Sequence, residues 1–290
     1  MHKHTHYAII FLGGIRNMIL CDFHTHSNNS FDAESSVDEM CRAAISRGIS
    51  AIAITDHCEA PYINLGENCE FGSFDRQIPK SVKDALAAKK KYEGKLKVLC
   101  GVELGEPMHD PEQTAHALKY ADFDFILASV HNLRNRDDFY YMDYSKVDVD
   151  EILAEYFSEL AETASFEHFD SLSHLTYPLR YIFERTGVFP DLTKHMSQIE
   201  NIFNILIKNK KALEINVSGL YQPVKTTLPH QELINLFHSM GGEYVTIGTD
   251  AHIADRVGVG IEKGILAAKN AGFKHYSVYE KHNPILIEIE

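Results

Sequence analysis

Residues 19–26 read Ile-Leu-Cys-Asp-Phe-His-Thr-His, and this short run sets the pattern for the whole chain. An apolar stretch of strand length, 19–24, ends in two histidines two positions apart. Alternate side chains of an extended segment share a face, so His24 and His26 can grip one ion. Working outward, the same pattern recurs. The strand-like run 51–55 leads into Asp56 and His57, and 96–102 leads into Glu103. The run 123–129 leads into His131, and 170–173 into His174. The run 213–216 carries Glu214 and Asn216, and 244–248 leads into Asp250 and His252.

Helical patterns fall between most of these runs, at 37–47, 82–92, 149–163, 193–208 and 229–240, with another at 264–270. Ser36 is a candidate N-cap and Gly48 a stop for the first. Strands alternating with helices predict an α/β domain with a parallel sheet. In a parallel barrel the C-terminal strand ends form the face where active sites are built. Donor residues far apart in sequence would meet there in one bowl.

The chain has 290 residues, 44% of them apolar, enough for one substantial core and not the composition of a disordered chain. Its formal charge of −13 predicts repulsion of nucleic acid and anionic membranes, so neither is expected as a partner. Any anionic ligand would have to be drawn in locally, by metals or a few Arg and Lys residues. Seventeen histidines together with surplus Asp and Glu suit a nitrogen and oxygen metal site, although scattered surface histidines would give the same count. The five cysteines form no C-x-x-C pair, which argues against a disulfide scaffold or zinc ribbon and for reduced cytoplasmic thiols. Tyr7 to Gly14 is apolar but short, Arg16 follows closely, and no signal peptide or membrane span is read. Residues 1–17 are expected to be an unstructured N-terminal extension and 18–290 a single barrel domain.

Each donor has a plainer alternative. Asp32, in the loop after His26, could be only a turn residue. Asp56 could orient a ligand or cap a helix. A polar burst after the buried run "AIAI" is costly unless its groups are paired or ligating, which favours His57 as a ligand. Glu103, between Val102 and Leu104, has two oxygens and could bridge two ions. His131 and His174 taken singly are ordinary structural histidines; with the others they favour ligation. Asp250 and His252 resemble the first pair and could also handle protons. His2, His4 and His6 imitate a metal motif on a terminus without a nearby carboxylate. The run Lys89-Lys90-Lys91 is a solvated helix face.

In this order, "DFHTHS", "AITDH", "GVELG", "ASVH", "LSHL" and "GTDAH" resemble the polymerase and histidinol phosphatase (PHP) superfamily, from about Leu20 to His252. The resemblance implies a distorted (β/α)7 barrel, similar to a TIM barrel, with a trinuclear metal centre at the C-terminal strand ends. It implies His24, His26, Asp32, His57, Glu103, His131, His174, Asp250 and His252 as ligands of three divalent ions, Zn, Mn or Fe. "FDFILASVHNL", "SHLTYPLRY" and "ALEINVSGLYQPVKT" look most like the histidinol-phosphatase branch. That branch implies Arg180 as a phosphate-binding residue. A second Arg carried by some members is replaced here by Ser218, and Lys225 or another cation would compensate. The implied activity is hydrolysis of histidinol phosphate, a step of histidine biosynthesis, by a hydroxide bridging two ions. Glu103, Asp250 and His252 would be its catalytic residues. The alternatives are a PHP phosphoesterase for another small phosphomonoester or a nucleotide-type diester, and a non-catalytic metal-binding module. Oligomeric state is not legible.

Overall fold

The computed structural model describes residues 18–61 and 74–289. Its chain order is β1 Leu20–Asp22, α1 Val37–Ser46, β2 Ile49–Ile54, β3 His57–Glu59, α2 Phe74–Lys91, β4 Lys97–Gly105, α3 Pro111–Ala117 and β5 Phe125–Ser129. There follow α4 Val149–Ala164, β6 Ser171–Leu172, α5 Pro178–Thr186, α6 Met196–Asn209, β7 Ala212–Asn216, α7 Gln231–Ser239, β8 Val245–Gly248, α8 Ile261–Ala271, β9 His275–Glu280 and β10 Asn283–Glu288. The expectations for residues 1–17, including His2, His4 and His6, lie outside the described residues.

The strands β1-β2-β4-β5-β6-β7-β8 lie side by side, all parallel. β3 continues β2 in unbroken register: Ile54 faces Cys100 of β4, and His57 faces Glu103. The two form one stave interrupted at Thr55-Asp56, which leaves seven staves, as the sequence predicts. Helices pack outside, α1 on β2, α2 on β4, α4 on β5, α6 on β7 and α8 on β8. The result is a distorted TIM-like barrel.

The ring closes between β8 and β1 without a regular ladder. Phe23 N–H donates to Ile247 O at 3.0 Å, Asp250 N–H to His24 O at 2.8 Å and His26 N–H to Ala251 O at 2.8 Å. The buried Asp22 carboxylate fastens this seam. It accepts Thr249 N–H at 2.9 Å, Thr249 Oγ1–H at 2.6 Å and Gly258 N–H at 2.9 Å. Burial pushes its carboxyl up to about 6, against those hydrogen bonds. Thus one side chain of the first strand sets where Asp250 and His252 begin.

α1 forms where Ser36 predicts it. The Ser36 side chain accepts Glu39 N–H, Glu39 returns a bond to Ser36 N–H, and Gly48 follows the helix at φ +71°. α2 begins at Phe74, eight residues before the predicted 82, because Pro79 inside it hides its first turns from a propensity reading. α3, α5, β3 and the C-terminal hairpin β9–β10 were not legible. The hairpin turns at Lys281 and His282, both with positive φ. It crosses the N-terminal end of the barrel, where His282 N–H donates to Asp124 O at 3.1 Å and Lys97 meets Glu280 at 2.7 Å. A hollow of about 880 Å³ opens at that end, lined by Phe123, Asp170 and Lys211 among others, away from the donor-bearing strand ends.

Replacing Asp22 by Asn would turn an amide N–H toward a backbone donor. Asp22→Asn is expected to cost about 1–3 kcal/mol of stability. Urea unfolding would show the loss as a lower midpoint with an unchanged slope.

Candidate metal centre

The strand ends bring their donors into one buried cluster. Glu103, with no exposed surface, stands at its centre. One of its oxygens lies 3.1 Å from His24 Nε2, 3.4 Å from His26 Nε2 and 3.1 Å from His57 Nδ1. The other lies 3.2 Å from His131 Nε2 and 2.9 Å from His174 Nε2. Asp250 Oδ1 lies 3.6 Å from His24 Nε2 and 3.4 Å from His26 Nε2. Asp32 Oδ2 lies 3.7 Å from His57 Nε2 and 3.1 Å from His252 Nε2.

The opposite ring nitrogens are held from behind. His24 Nδ1 bonds Glu214 at 2.7 Å, and His26 Nδ1 bonds Ser30 Oγ at 3.4 Å. His57 Nδ1 and His131 Nδ1 both meet Glu59 Oε1, at 3.2 and 3.1 Å. His174 Nδ1 has Ser173 Oγ at 3.5 Å, and His252 Nδ1 has the Asp250 carbonyl at 2.9 Å. A partner on one nitrogen fixes the tautomer and leaves the other free to ligate. Five of the imidazoles therefore present Nε2 inward, whereas His57 turns Nδ1 toward both Glu103 and Glu59 and Nε2 toward Asp32.

These inward atoms gather into three groups. His24, His26, Glu103 and Asp250 make the first, Glu103, His131 and His174 the second, and Asp32, His57 and His252 the third. His57, Glu59 and His131 also come close enough to hold an ion through their outer edges. Glu59 spans those two rings through Nδ1, so we read it as their shared support. Divalent metal fits this donor set. His24 Nε2, His26 Nε2 and Glu103 Oε2 are buried and close, yet none makes a directed hydrogen bond. Buried polar atoms left that way are costly unless a cation takes their lone pairs.

The electrostatics divide the rings. Burial disfavours a charged His24, but Glu214, Glu103 and Asp250 outweigh it and hold its pKa well above the ordinary value. Burial, reinforced by His57 and His252, holds His26 well below. Burial also lowers His174, against Glu103. His57, despite its burial, is raised to about 9 by Asp32, Glu103 and Glu59. Glu103, buried but ringed by His24, His131 and His57, stays ionised far below the usual carboxylate range.

Arg180 reaches the rim from α5. Its guanidinium stacks 4.1 Å from the Tyr177 ring centre, and Nη1 donates to Asp250 Oδ2 at 3.4 Å. Asn216 Nδ2 donates to that same oxygen at 3.4 Å. Lys225 is exposed on the loop after β7 and is not among the described residues that line the adjoining cavity. Ser218 turns its hydroxyl to Asn216 Oδ1 at 2.6 Å. Asp56 is a scaffold residue, its carboxylate held by Ser27 N–H at 2.5 Å, Ser27 Oγ at 2.8 Å, Ser30 Oγ at 2.9 Å and Ser81 Oγ. Sequence reasoning missed Glu59, and it left Glu214 at a strand end without a role. The signal for Glu214 was its burial between apolar neighbours in "ALEIN".

The PHP domain model matches residues 22–218. The histidinol-phosphatase of Lactococcus lactis is 28% identical over 267 residues, 89% of this chain and 93% of that protein. A Thermotoga maritima protein described as a probable histidinol-phosphatase is 27% identical, over 89% of this chain and 95% of its own. The crystal structure of the Lactococcus lactis histidinol phosphate phosphatase, complexed with zinc, L-histidinol and phosphate, superposes with a TM-score of 0.73 at 24% identity. The superposition covers 92% of this chain and 99% of that one. No helix among the described residues is long and apolar enough to cross a membrane.

An ion binding at Nε2 must displace any proton there, so loading is pH-linked. Below its pKa of about 9 the metal-free His57 carries a proton, and above it the ring is free. Ion affinity is therefore expected to climb with pH between about 6 and 9, by about one decade per unit for each proton displaced. Competition of the metal-depleted protein against a chelator, repeated across that range, measures the slope; a flat profile contradicts it.

Proposed function

The chain belongs to the PHP domain family, and from that membership we propose that it is a metal-dependent phosphomonoesterase that hydrolyses histidinol phosphate to histidinol and phosphate. One observation carries the proposal: two of the three donor groups share the oxygens of Glu103, and a largely covered arginine stands at their edge. The two similar proteins from Lactococcus and Thermotoga cover nearly their full length and supply the substrate.

We propose one divalent ion per group, held by His24, His26, Glu103 and Asp250, by Glu103, His131 and His174, and by Asp32, His57 and His252. Bound there, the ions would supply hydroxide at neutral pH and neutralise phosphate oxygens. The chain's own residues do the rest. Glu103 fixes the spacing of the groups, since a single carboxylate serves two of them. Arg180, charged at any working pH, takes a phosphate oxygen and is held in place by Tyr177 and Asp250. As the new P–O bond forms, the bond from phosphorus to the alcohol oxygen breaks, and that oxygen needs a proton. His252 is placed to carry it. Its side chain is 28% exposed, against 8% or less for the other five rings, and it is paired with Asp32. Asp250, whose carbonyl orients His252, shares that role. The acidic surface supports a small substrate rather than nucleic acid.

Turnover of histidinol phosphate by metal-loaded protein, set against other phosphomonoesters, nucleotides and a diester, tests the assignment. Histidinol phosphate is expected to give the highest kcat/KM, and Glu103→Ala to lose both turnover and bound metal. Preference for a nucleotide or diester rejects the substrate, and a Glu103→Ala protein with normal metal and turnover rejects the site.

Arg180→Ala is expected to raise KM for the phosphomonoester by about tenfold to a hundredfold, the weight of a charge-assisted hydrogen bond or two. Steady-state kinetics at saturating metal separate this from a loss of kcat; an unaltered KM removes Arg180 from the phosphate.

A further inference from the structure

Glu106 directly follows β4, whose Glu103 stands at the centre of the donors, yet it belongs to none of the donor groups among the described residues. It has no exposed surface, and its φ of +46° lies in the left-handed region. A residue with a side chain stays in that region only where its surroundings fix it. Here the contacts that fix it run to the end of β5. The main-chain N–H of Glu106 donates to Ser129 O at 3.0 Å. Its carboxyl Oε1 accepts His131 N–H at 2.5 Å and Asn132 N–H at 3.3 Å.

The same carboxyl also meets that of Glu59. Glu106 Oε2 and Glu59 Oε2 are both buried, and no N–H or O–H of another residue donates to either. Two buried carboxyls in contact are tolerable when one of them carries a proton and bonds the other through it. Glu59 is the one that keeps its charge, because its Oε1 faces His57 Nδ1 at 3.2 Å and His131 Nδ1 at 3.1 Å. Burial disfavours that charge, but the His131 and His57 rings outweigh it and hold Glu59 below the ordinary carboxylate range. Burial, with Glu59 alongside, pushes Glu106 well above it. Glu106 therefore reaches His131 by two routes, the main chain directly and the ring through Glu59.

Resting on the metal-dependent reading above, we propose that Glu106 is a positioning residue for His131 and His57: its carboxyl holds the main chain of His131 and, at the same time, holds Glu59 against the two rings. It touches neither substrate nor ion. Without it the His131 turn is released and Glu59 is free to leave both Nδ1 atoms, so the ions held by His131 and by His57 weaken. The group of His24, His26, Glu103 and Asp250 has Glu214 and Ser30 behind its rings and does not depend on Glu106.

The test compares wild type, Glu106→Met and Glu106→Gln. Met fills a similar volume and can hold neither His131 N–H nor Glu59, whereas Gln keeps an acceptor for the first and a donor for the second. Zinc affinity at each site is read by chelator competition, with the urea midpoint measured alongside. In Glu106→Met some zinc is expected to bind about tenfold to a hundredfold more weakly while at least one site keeps wild-type affinity, and Glu106→Gln is expected to restore the weakened sites. Wild-type affinity at every site of Glu106→Met overturns the role. Equal weakening at every site with a lower urea midpoint, the mark of a general loss of structure, also overturns it, as does a Glu106→Gln protein no better than Glu106→Met. Where Glu106→Met does not fold, Glu106→Asp decides by the same titration, since a side chain one methylene shorter cannot span from His131 N–H to Glu59: weakening at some sites alone upholds the role, and wild-type affinity overturns it. A wild type that binds zinc but leaves histidinol phosphate intact fails the proposed substrate only, and the zinc titration still decides the role of Glu106. A wild type that binds neither zinc nor manganese overturns both.

Discussion

Glu103 has five imidazoles within 3.4 Å of its two oxygens and no contact with water. A carboxylate in such a place is tolerable only if positive charge surrounds it, because desolvation of an isolated anion costs many kcal/mol. The imidazoles can supply that charge as protons, but six of them in one cluster repel one another when charged. That conflict is visible in His26 and His174, pushed toward neutrality, beside His24 and His131, held charged. Divalent ions between Nε2 and the carboxylates resolve it, since they bind neutral rings and ionised acids together. The rest of the barrel is arranged to keep this anion where imidazoles from four other strand ends can reach it.

That arrangement depends on groups behind the donors. Glu59 and Glu214 fix three of the imidazoles, and each presses on a glycine. A Cβ on Gly105 would lie 1.5 Å from Glu59 Oε2, and one on Gly248 would lie 2.3 Å from His24 Cβ and 2.6 Å from Glu214 Oε1. Bare backbone at the ends of β4 and β8 is thus a condition for the supporting carboxylates to reach the rings. Asp22 acts at one remove. By closing the seam between first and last strands it aligns His24 and His26 with Asp250, which come from opposite ends of the sequence.

The donors were legible because a strand that ends in His, Asp or Glu leaves a repeated pattern, and six such strands in one barrel share a rim. The supports were not, because a residue that holds a histidine from behind need obey no spacing. Glu59 sits two residues beyond His57 on a stave whose second half follows a polar interruption, so neither strand nor residue stood out. Pro79 concealed the start of α2 in the same way, as a local signal overridden by packing. The hairpin β9–β10 escaped because its outer face is largely exposed and β10 carries Pro284, which demotes it to an edge. Of the tyrosines lining the cavity beside the donors, Tyr140 and Tyr141 come from an irregular segment before α4, where periodicity says nothing about direction, and Tyr177 and Tyr181 from the start of α5, a helix that was not legible.

A net charge of −13 looks unsuited to an anionic phosphate, yet the two scales separate. At physiological ionic strength, surface charges are screened beyond about 8 Å, so most of the acidic exterior is weakly felt at the rim. The buried groups are screened far less. Only three carboxylates stand among the donors, Asp32, Glu103 and Asp250, and divalent ions bound there together with Arg180 would outweigh them. With divalent ions bound, the rim would be cationic where phosphate lies, and the exterior charge discourages larger polyanions without opposing a small phosphate ester.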